Sequence, residues 1–143
     1  MTIVDVNLLL YAYNSDAPQH PASSRWLNEL LESGAPIGLP WVTIWAFLRL
    51  ATNSRVWTNP LPAKQAFAIV EEWTAQPGII IVQPGPRHAE ILKRIVLEYG
   101  VTGPLVTDAI LAALAIENGA TLASTDQDFR RFSELRWINP LAS

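Results

Sequence analysis

Three aspartates of this chain stand where an isolated charge is costly. Asp5 follows the first apolar run, at residues 1–4, and Asp126 follows another apolar run, at residues 120–124. Asp108 interrupts an apolar stretch at residues 104–116. A buried carboxylate needs a positive partner or a metal ion, and no Lys or Arg lies near Asp5 or Asp108 in the sequence. The pattern predicts a divalent cation held by aspartates, which is typical of phosphate chemistry.

The elements that must position these aspartates alternate between short strands and helices. Strands are predicted at residues 2–5, 37–39, 79–82, 121–124 and 135–138. Helices are predicted around residues 22–31, 41–51, 62–73, 92–99, 105–118 and 127–132. This alternation indicates an α/β fold in three layers, with a central parallel sheet of about four or five strands and helices on both faces. We predict a single domain over residues 1–143.

The predicted sheet brings the three aspartates toward one edge. Ligands of open parallel sheets bind beyond the carboxyl ends of the strands. Asp5 and Asp126 both lie at that end of their strands, and Asp108 lies in the first turn of a predicted helix. One such carboxylate would be explained by helix capping, whereas three at one rim indicate a metal site.

Composition excludes several other kinds of site. The chain has 143 residues, of which 50% are hydrophobic and 16% are charged, as expected for a folded domain. It has no cysteine, and its two histidines are far apart, so disulfides, zinc chemistry and a cysteine nucleophile are not expected. Its longest uncharged apolar run, residues 35–48, is broken by prolines and a glycine. We therefore predict a soluble, cytoplasmic protein without a membrane partner.

The net charge of −3 argues against strong non-specific binding of nucleic acid, because no basic field would release counterions. A nucleic-acid partner would need local basic residues, a metal ion or a second subunit. Arg49 and Arg55 either bind phosphate in this way or are solvated surface charges. The six tryptophans are expected mainly in the core and at interfaces.

Several segments resemble the PIN-domain ribonucleases, and most of all the VapC-type toxins of type II toxin–antitoxin pairs. The resemblance rests on three ordered blocks, at residues 3–10, 107–116 and 118–129. Residues 38–41 and 47–49 fit the second block of the family, and residues 136–140 fit the tail of an actinobacterial-type subgroup. The resemblance covers nearly the whole chain and implies a PIN-like fold.

The resemblance also implies a Mg²⁺ or Mn²⁺ site whose acidic residues activate water to cleave RNA. Asp5, Asp108 and Asp126 match the first, third and fourth acidic residues of the family. Asn7 matches the polar position after the first aspartate, although it could equally cap a helix. Asp128 either joins the acidic cluster or places a charge in the first turn of a helix.

The sequence departs from the family at one acidic position. Members with a full acidic set carry a glutamate just before the Phe–Leu–Arg segment, where this chain has Ala46. No carboxylate occurs between Glu32 and Glu71. Mg²⁺ needs only one or two protein carboxylates besides water and substrate phosphate, so a one-metal site survives the loss. A second metal or a positioned general base becomes doubtful, and Asp128 is the candidate for a partial replacement.

The resemblance further implies an RNA substrate, a homodimer and a cognate antitoxin that covers the site. Transfer, ribosomal and messenger RNA are alternative substrates. Because of Ala46, a catalytically weak PIN domain that binds RNA or protein is an alternative function. A Mg²⁺ phosphotransferase with Asp5 as nucleophile is disfavoured, since position 7 is Asn and no Lys closely precedes Asp126.

Overall fold

A five-stranded sheet forms the centre of the computed structural model, which describes residues 1–142. Its strands are β1 (Thr2–Val4), β2 (Ile37–Pro40), β3 (Ile79–Val82), β4 (Thr121–Ala123) and β5 (Arg136–Ile138). They lie in the order β3-β2-β1-β4-β5, and every neighbouring pair is parallel. The predicted parallel sheet is therefore confirmed. The predicted domain, 1–143, includes Ser143, which lies outside the described residues.

Helices cover both faces of this sheet. They are α1 (Val6–Tyr13), α2 (His20–Glu32), α3 (Trp41–Ala51), α4 (Ala63–Ala75), α5 (His88–Tyr99) and α6 (Leu105–Glu117), followed by a short 3-10 helix at Gln127–Arg131. Ile3 and Leu122 pack in the core cluster that contains α5 and α6. Val4 and Ala123 pack in the cluster that contains α1 to α4. Successive side chains of a strand point to opposite faces. The two core clusters therefore lie on opposite faces of the sheet, each between the sheet and one layer of helices.

The first helix is an element that the sequence patterns did not predict. Residues 6–13 are apolar on nearly every side (VNLLLYAY), so they show no helical periodicity. The helix begins because Oδ1 of Asp5 accepts a hydrogen bond of 2.8 Å from the backbone N–H of Val6. Asn7 is therefore inside the helix, and its alternative role as the N-cap is wrong.

The helix α6 confirms the helix predicted at residues 105–118. Its buried residues are Ala109 and all five residues from 111 to 115. Asn118 is its C-cap, and Gly119 follows with φ of +60°. Glycine adopts this left-handed conformation readily because it has no Cβ. The chain therefore turns at Gly119 and enters β4. Within residues 1–142, none of the helices combines the length and the hydrophobicity that crossing a membrane requires.

Candidate functional site

Asp5 and Asp126 lie side by side because their strands are neighbours. In the parallel pair β1 and β4, Val4 is opposite Ala123. Asp5 directly follows β1, and Asp126 lies three residues beyond the end of β4. Oδ1 of Asp126 accepts a hydrogen bond of 2.9 Å from the backbone N–H of Asp128 and so caps the 3-10 helix. Both carboxylates thus combine helix capping with a position at the carboxyl edge of the sheet.

The helix α6 brings a third carboxylate to this edge. Asp108 lies in its first turn, and Asp108, Asp126 and Asp128 each have a carboxylate oxygen within 4.8 Å of the others. Asp5 is outside this trio, but it lines one cavity of about 210 Å³ together with Asp108, Asp126 and Asn7. The five residues predicted from the sequence therefore meet at one rim. We call Asp5, Asp108, Asp126 and Asp128 the acid cluster.

The acid cluster holds more negative charge than its surroundings compensate. Burial, and after it the negative charges of Asp126, Asp5 and Asp128, raise the pKa of Asp108 to about 6. The positive charge of Arg131 lowers the pKa of Asp108. Nη2 of Arg131 lies 3.7 Å from Oδ1 of Asp128.

Asp5 is the most buried member of the cluster, with 8% of its surface exposed. Burial raises its pKa, while hydrogen bonds from Ser124 and from the backbone of Val6 lower it and the charge of Asp126 raises it. The net shift is upward. The protein thus holds a charged group out of water without enough compensation, which a bound cation would supply.

Ser124 is a site residue that the sequence patterns missed. It is fully buried, and its Oγ donates a hydrogen bond of 2.7 Å to Oδ2 of Asp5. The same Oγ accepts hydrogen bonds from the backbone N–H of Asp126, at 3.0 Å, and from Nδ2 of Asn7, at 3.2 Å. The signal in the sequence was a single hydroxyl at the end of the apolar run 120–124.

Ala46 lies where the missing glutamate would face the acid cluster. Its side chain lines the same cavity as Asp5 and Asp108, and so does Arg49 one turn further along α3. The wall of the cavity on this side therefore carries a methyl group and a guanidinium, but no carboxylate. Asp128 stands at the exposed rim, with 51% of its side chain accessible.

The donor set fits a hard divalent cation. All four members of the acid cluster offer carboxylate oxygens, which Mg²⁺ and Mn²⁺ prefer over nitrogen and sulfur ligands. Three of these carboxylates approach one another despite their charges, and hydrogen bonds hold Asp5 and Asp126 in place. The cluster could therefore hold a cation beside an anionic substrate.

Comparisons with known proteins agree with this geometry. The PIN domain family model matches residues 2–135. The chain is 44% identical to "Ribonuclease VapC37" of Mycobacterium tuberculosis over 142 residues, which span 99% of both chains. It is 41% identical to "Ribonuclease VapC33" of the same species over 141 residues, again 99% of both chains.

Solved structures share the fold at low sequence identity. VapBC-1 from nontypeable Haemophilus influenzae matches with a TM-score of 0.70 and 14% identity, over 99% of this chain and 98% of that one. VapBC2 from Rickettsia felis, bound to a DNA fragment from its promoter, matches with a TM-score of 0.67 and 18% identity, over 96% and 97% of the two chains. Fold, acid cluster and sequence matches lead to one conclusion: the chain belongs to the PIN-domain family.

Proposed function

We propose that this protein is a Mg²⁺- or Mn²⁺-dependent endoribonuclease and the toxin of a toxin–antitoxin pair. The observation that supports the proposal is the acid cluster. Carboxylate oxygens of Asp108, Asp126 and Asp128 lie within 4.8 Å of one another, and Asp5 lines a cavity together with Asp108 and Asp126. The names of the relatives, which call them VapC ribonucleases, support the choice of RNA as substrate.

In this proposal Asp5, Asp108 and Asp126 hold the cation, and Asp128 contributes from the rim. A cation bound there would lower the pKa of a water molecule and neutralise charge on the phosphate during hydrolysis. The chain's own residues set the geometry. Ser124 holds Oδ2 of Asp5 in one orientation, so that the carboxylate need not reorganise during the reaction.

The alanine at position 46 shapes the proposed centre. With no carboxylate on the α3 wall of the cavity, the protein ligands suffice for one cation, which needs few of them when water and phosphate complete its shell. We propose that Asp128 partly replaces the missing glutamate.

The proposed partners are an antitoxin and a second copy of the chain. The antitoxin is supported by the structural neighbours, whose titles describe VapBC and toxin–antitoxin complexes. The homodimer is supported by an exposed aromatic pair on α3. Trp41 and Trp45 are 41% and 62% exposed, and their rings stack with centroids 6.3 Å apart. Exposed apolar groups of this size are typical of protein interfaces.

We propose that residues 1–143 form one PIN domain that acts in the cytoplasm, because its RNA substrate is found there.

The test of the function is cleavage of total cellular RNA by the purified protein, free of antitoxin, with Mg²⁺ or Mn²⁺. Controls are the same reaction with EDTA and the Asp126→Asn variant. Discrete products that need the metal and disappear in the variant would support the proposal.

The second candidate function is a binding module with little or no catalysis, which Ala46 favours. It predicts that the wild-type protein binds Mn²⁺ and RNA but yields no products with either metal. In that case the lack of a carboxylate on the α3 wall would be the reason, and restoring one by Ala46→Glu would be the next experiment.

A further inference from the structure

The cavity at the acid cluster, which we call the acid cavity, has a neighbouring cavity on each side that shares lining residues with it. On the α3 side lies a cavity of about 330 Å³, which shares four lining residues with the acid cavity: Val42, Ala46, Arg49 and Thr107. On the α1 side lies a cavity of about 410 Å³, which shares Asn7 with the acid cavity. We call the three cavities together the groove. An extended substrate in the groove would pass the acid cluster and contact the protein on both sides of it.

Arg49 is the cationic side chain that lines both the acid cavity and its α3-side neighbour. It is exposed and lies in the last turn of α3. Among residues 1–142 it has no carboxylate partner within ion-pair distance, whereas Arg131 is paired with Asp128. Its charge is therefore available to a ligand in the groove.

Because the side chain of Ala46 is small, the guanidinium of Arg49 is accessible from the acid cavity. Ala46 lies one turn before Arg49 on α3 and lines the same two cavities. A glutamate at position 46 would be a neighbour of Arg49 at i,i+3 on the helix, where opposite charges pair. With alanine there, the guanidinium has no such competitor for a phosphate.

We propose that Arg49 is a substrate-binding residue that holds a backbone phosphate of single-stranded RNA next to the phosphate at the acid cluster. The proposal rests on the proposed ribonuclease function for its choice of ligand. The planar guanidinium matches two phosphate oxygens at once. It also offsets the repulsion that a polyanion meets from a chain of net charge −3 with an acid cluster in the groove.

A purely structural role for Arg49 is the alternative. A cation in the last turn of a helix interacts favourably with the helix dipole, and such a residue would stabilise α3 without touching RNA. The two roles differ in the salt dependence of RNA binding. Each phosphate contact on a single strand adds about 0.7 to the slope of log affinity against log salt concentration, whereas a contribution to helix stability adds nothing.

The experiment measures binding of a fluorescein-labelled 12-nucleotide RNA pool of random sequence by anisotropy, in Mg²⁺ and at several NaCl concentrations. All proteins carry Asp126→Asn, which prevents turnover if the proposed function holds. Arg49→Ala is compared with Arg49→Lys, which keeps the charge, and with Arg25→Ala, which removes an exposed arginine from α2. Thermal unfolding of each variant is recorded in parallel.

We expect Arg49→Ala to weaken RNA binding about tenfold or more and to lower the salt slope by about 0.7. Arg49→Lys should keep the slope, and Arg25→Ala should match the parent. An unchanged slope in Arg49→Ala, or an equal loss in Arg25→Ala, would overturn the proposal. The proposal would also be overturned if Arg49→Ala bound RNA as the parent does but changed the sedimentation mass, because Arg49 would then contact protein rather than RNA. If the wild type does not cleave RNA, the proposed ribonuclease function is contradicted but the binding role of Arg49 is not, because the anisotropy assay measures binding and not cleavage.

Discussion

The Oγ of Ser124 lies 2.7 Å from Oδ2 of Asp5, although 119 positions separate the two residues in the chain. This hydrogen bond connects the carboxyl ends of β1 and β4, and the same Oγ also contacts the backbone of Asp126 and the side chain of Asn7. One buried hydroxyl thus fixes three of the polar groups around the acid cluster. The orientation of Asp5 therefore depends on the pairing of two strands as well as on its local hydrogen bond from the backbone N–H of Val6.

Replacing this hydroxyl should impair both stability and activity. In Ser124→Ala the buried carboxylate of Asp5 loses a donor, which costs about 1–3 kcal/mol of unfolding free energy. The residue that orients a metal ligand typically contributes 10- to 100-fold to metal affinity or activity, so we expect RNA cleavage to slow by about that factor. Chemical denaturation and cleavage assays measure the two effects. Ser24→Ala on α2 is the matched control, and equal behaviour of the two variants would refute the role of Ser124.

Metal affinity should fall as the pH is lowered from 7 to 5. The pKa of Asp108 is raised to about 6, so its carboxylate is mostly ionised at pH 7 and mostly protonated at pH 5. A cation must displace that proton, and we therefore expect Mn²⁺ to bind about tenfold more weakly at pH 5 than at pH 7. Calorimetric titration with Mn²⁺ at each pH measures this change. In Asp108→Asn the affinity should be low at both pH values, and a wild-type affinity that is constant over this range would contradict the prediction.

Restoring a carboxylate on the α3 wall should strengthen metal binding. The side chain at position 46 lines the cavity of the acid cluster, and additional ligand charge raises cation affinity. We expect Ala46→Glu to bind Mn²⁺ about tenfold more tightly than the wild type, and Ala46→Gln, of the same shape but neutral, to show no such gain. If the glutamine and glutamate variants bind Mn²⁺ equally, position 46 does not face the cation.

The exposed tryptophans should control the oligomeric state. If Trp41 and Trp45 carry the proposed contact between two copies, Trp41→Ser should shift the sedimentation mass from a dimer toward a monomer. Phe67→Ser is the control, since Phe67 on α4 is also a large exposed side chain, at 53%. If Trp41→Ser is still a dimer, the interface between the two copies lies elsewhere. If the wild type is a monomer, the proposed homodimer is excluded.

Much of the fold could be predicted because its elements have simple patterns. The strand at Ile79–Val82 and the helix at Trp41–Ala51 have the predicted bounds. Glycine and proline lie near the two ends of the strand, proline precedes the helix, and the polar pair Thr52–Asn53 follows it. The helix α1 was missed because a fully apolar segment has no periodicity that separates a helix from a strand.

For the candidate site, the convergence of Asp5, Asp108 and Asp126 could be predicted because each of these charges lies within or close behind an apolar run. Ser124 did not stand out, because a serine is compatible with a strand end and its partner is remote in sequence. Its role depends on the register of β1 and β4, which no local pattern encodes. The groove and the position of Arg49 likewise depend on how α3 packs beside α1 and on the cavity that lies between α3 and α6.

The most direct test titrates Mn²⁺ while both metal binding and RNA cleavage are followed, in the wild type and in Asp108→Asn. Electron paramagnetic resonance measures free Mn²⁺, and gel analysis measures the products. If the acid cluster holds the catalytic cation, half-maximal cleavage should occur at the Mn²⁺ concentration that half-fills the site. Both values should rise together in the variant. Cleavage that persists in EDTA, or Mn²⁺ binding that is unchanged in Asp108→Asn, would contradict the assignment.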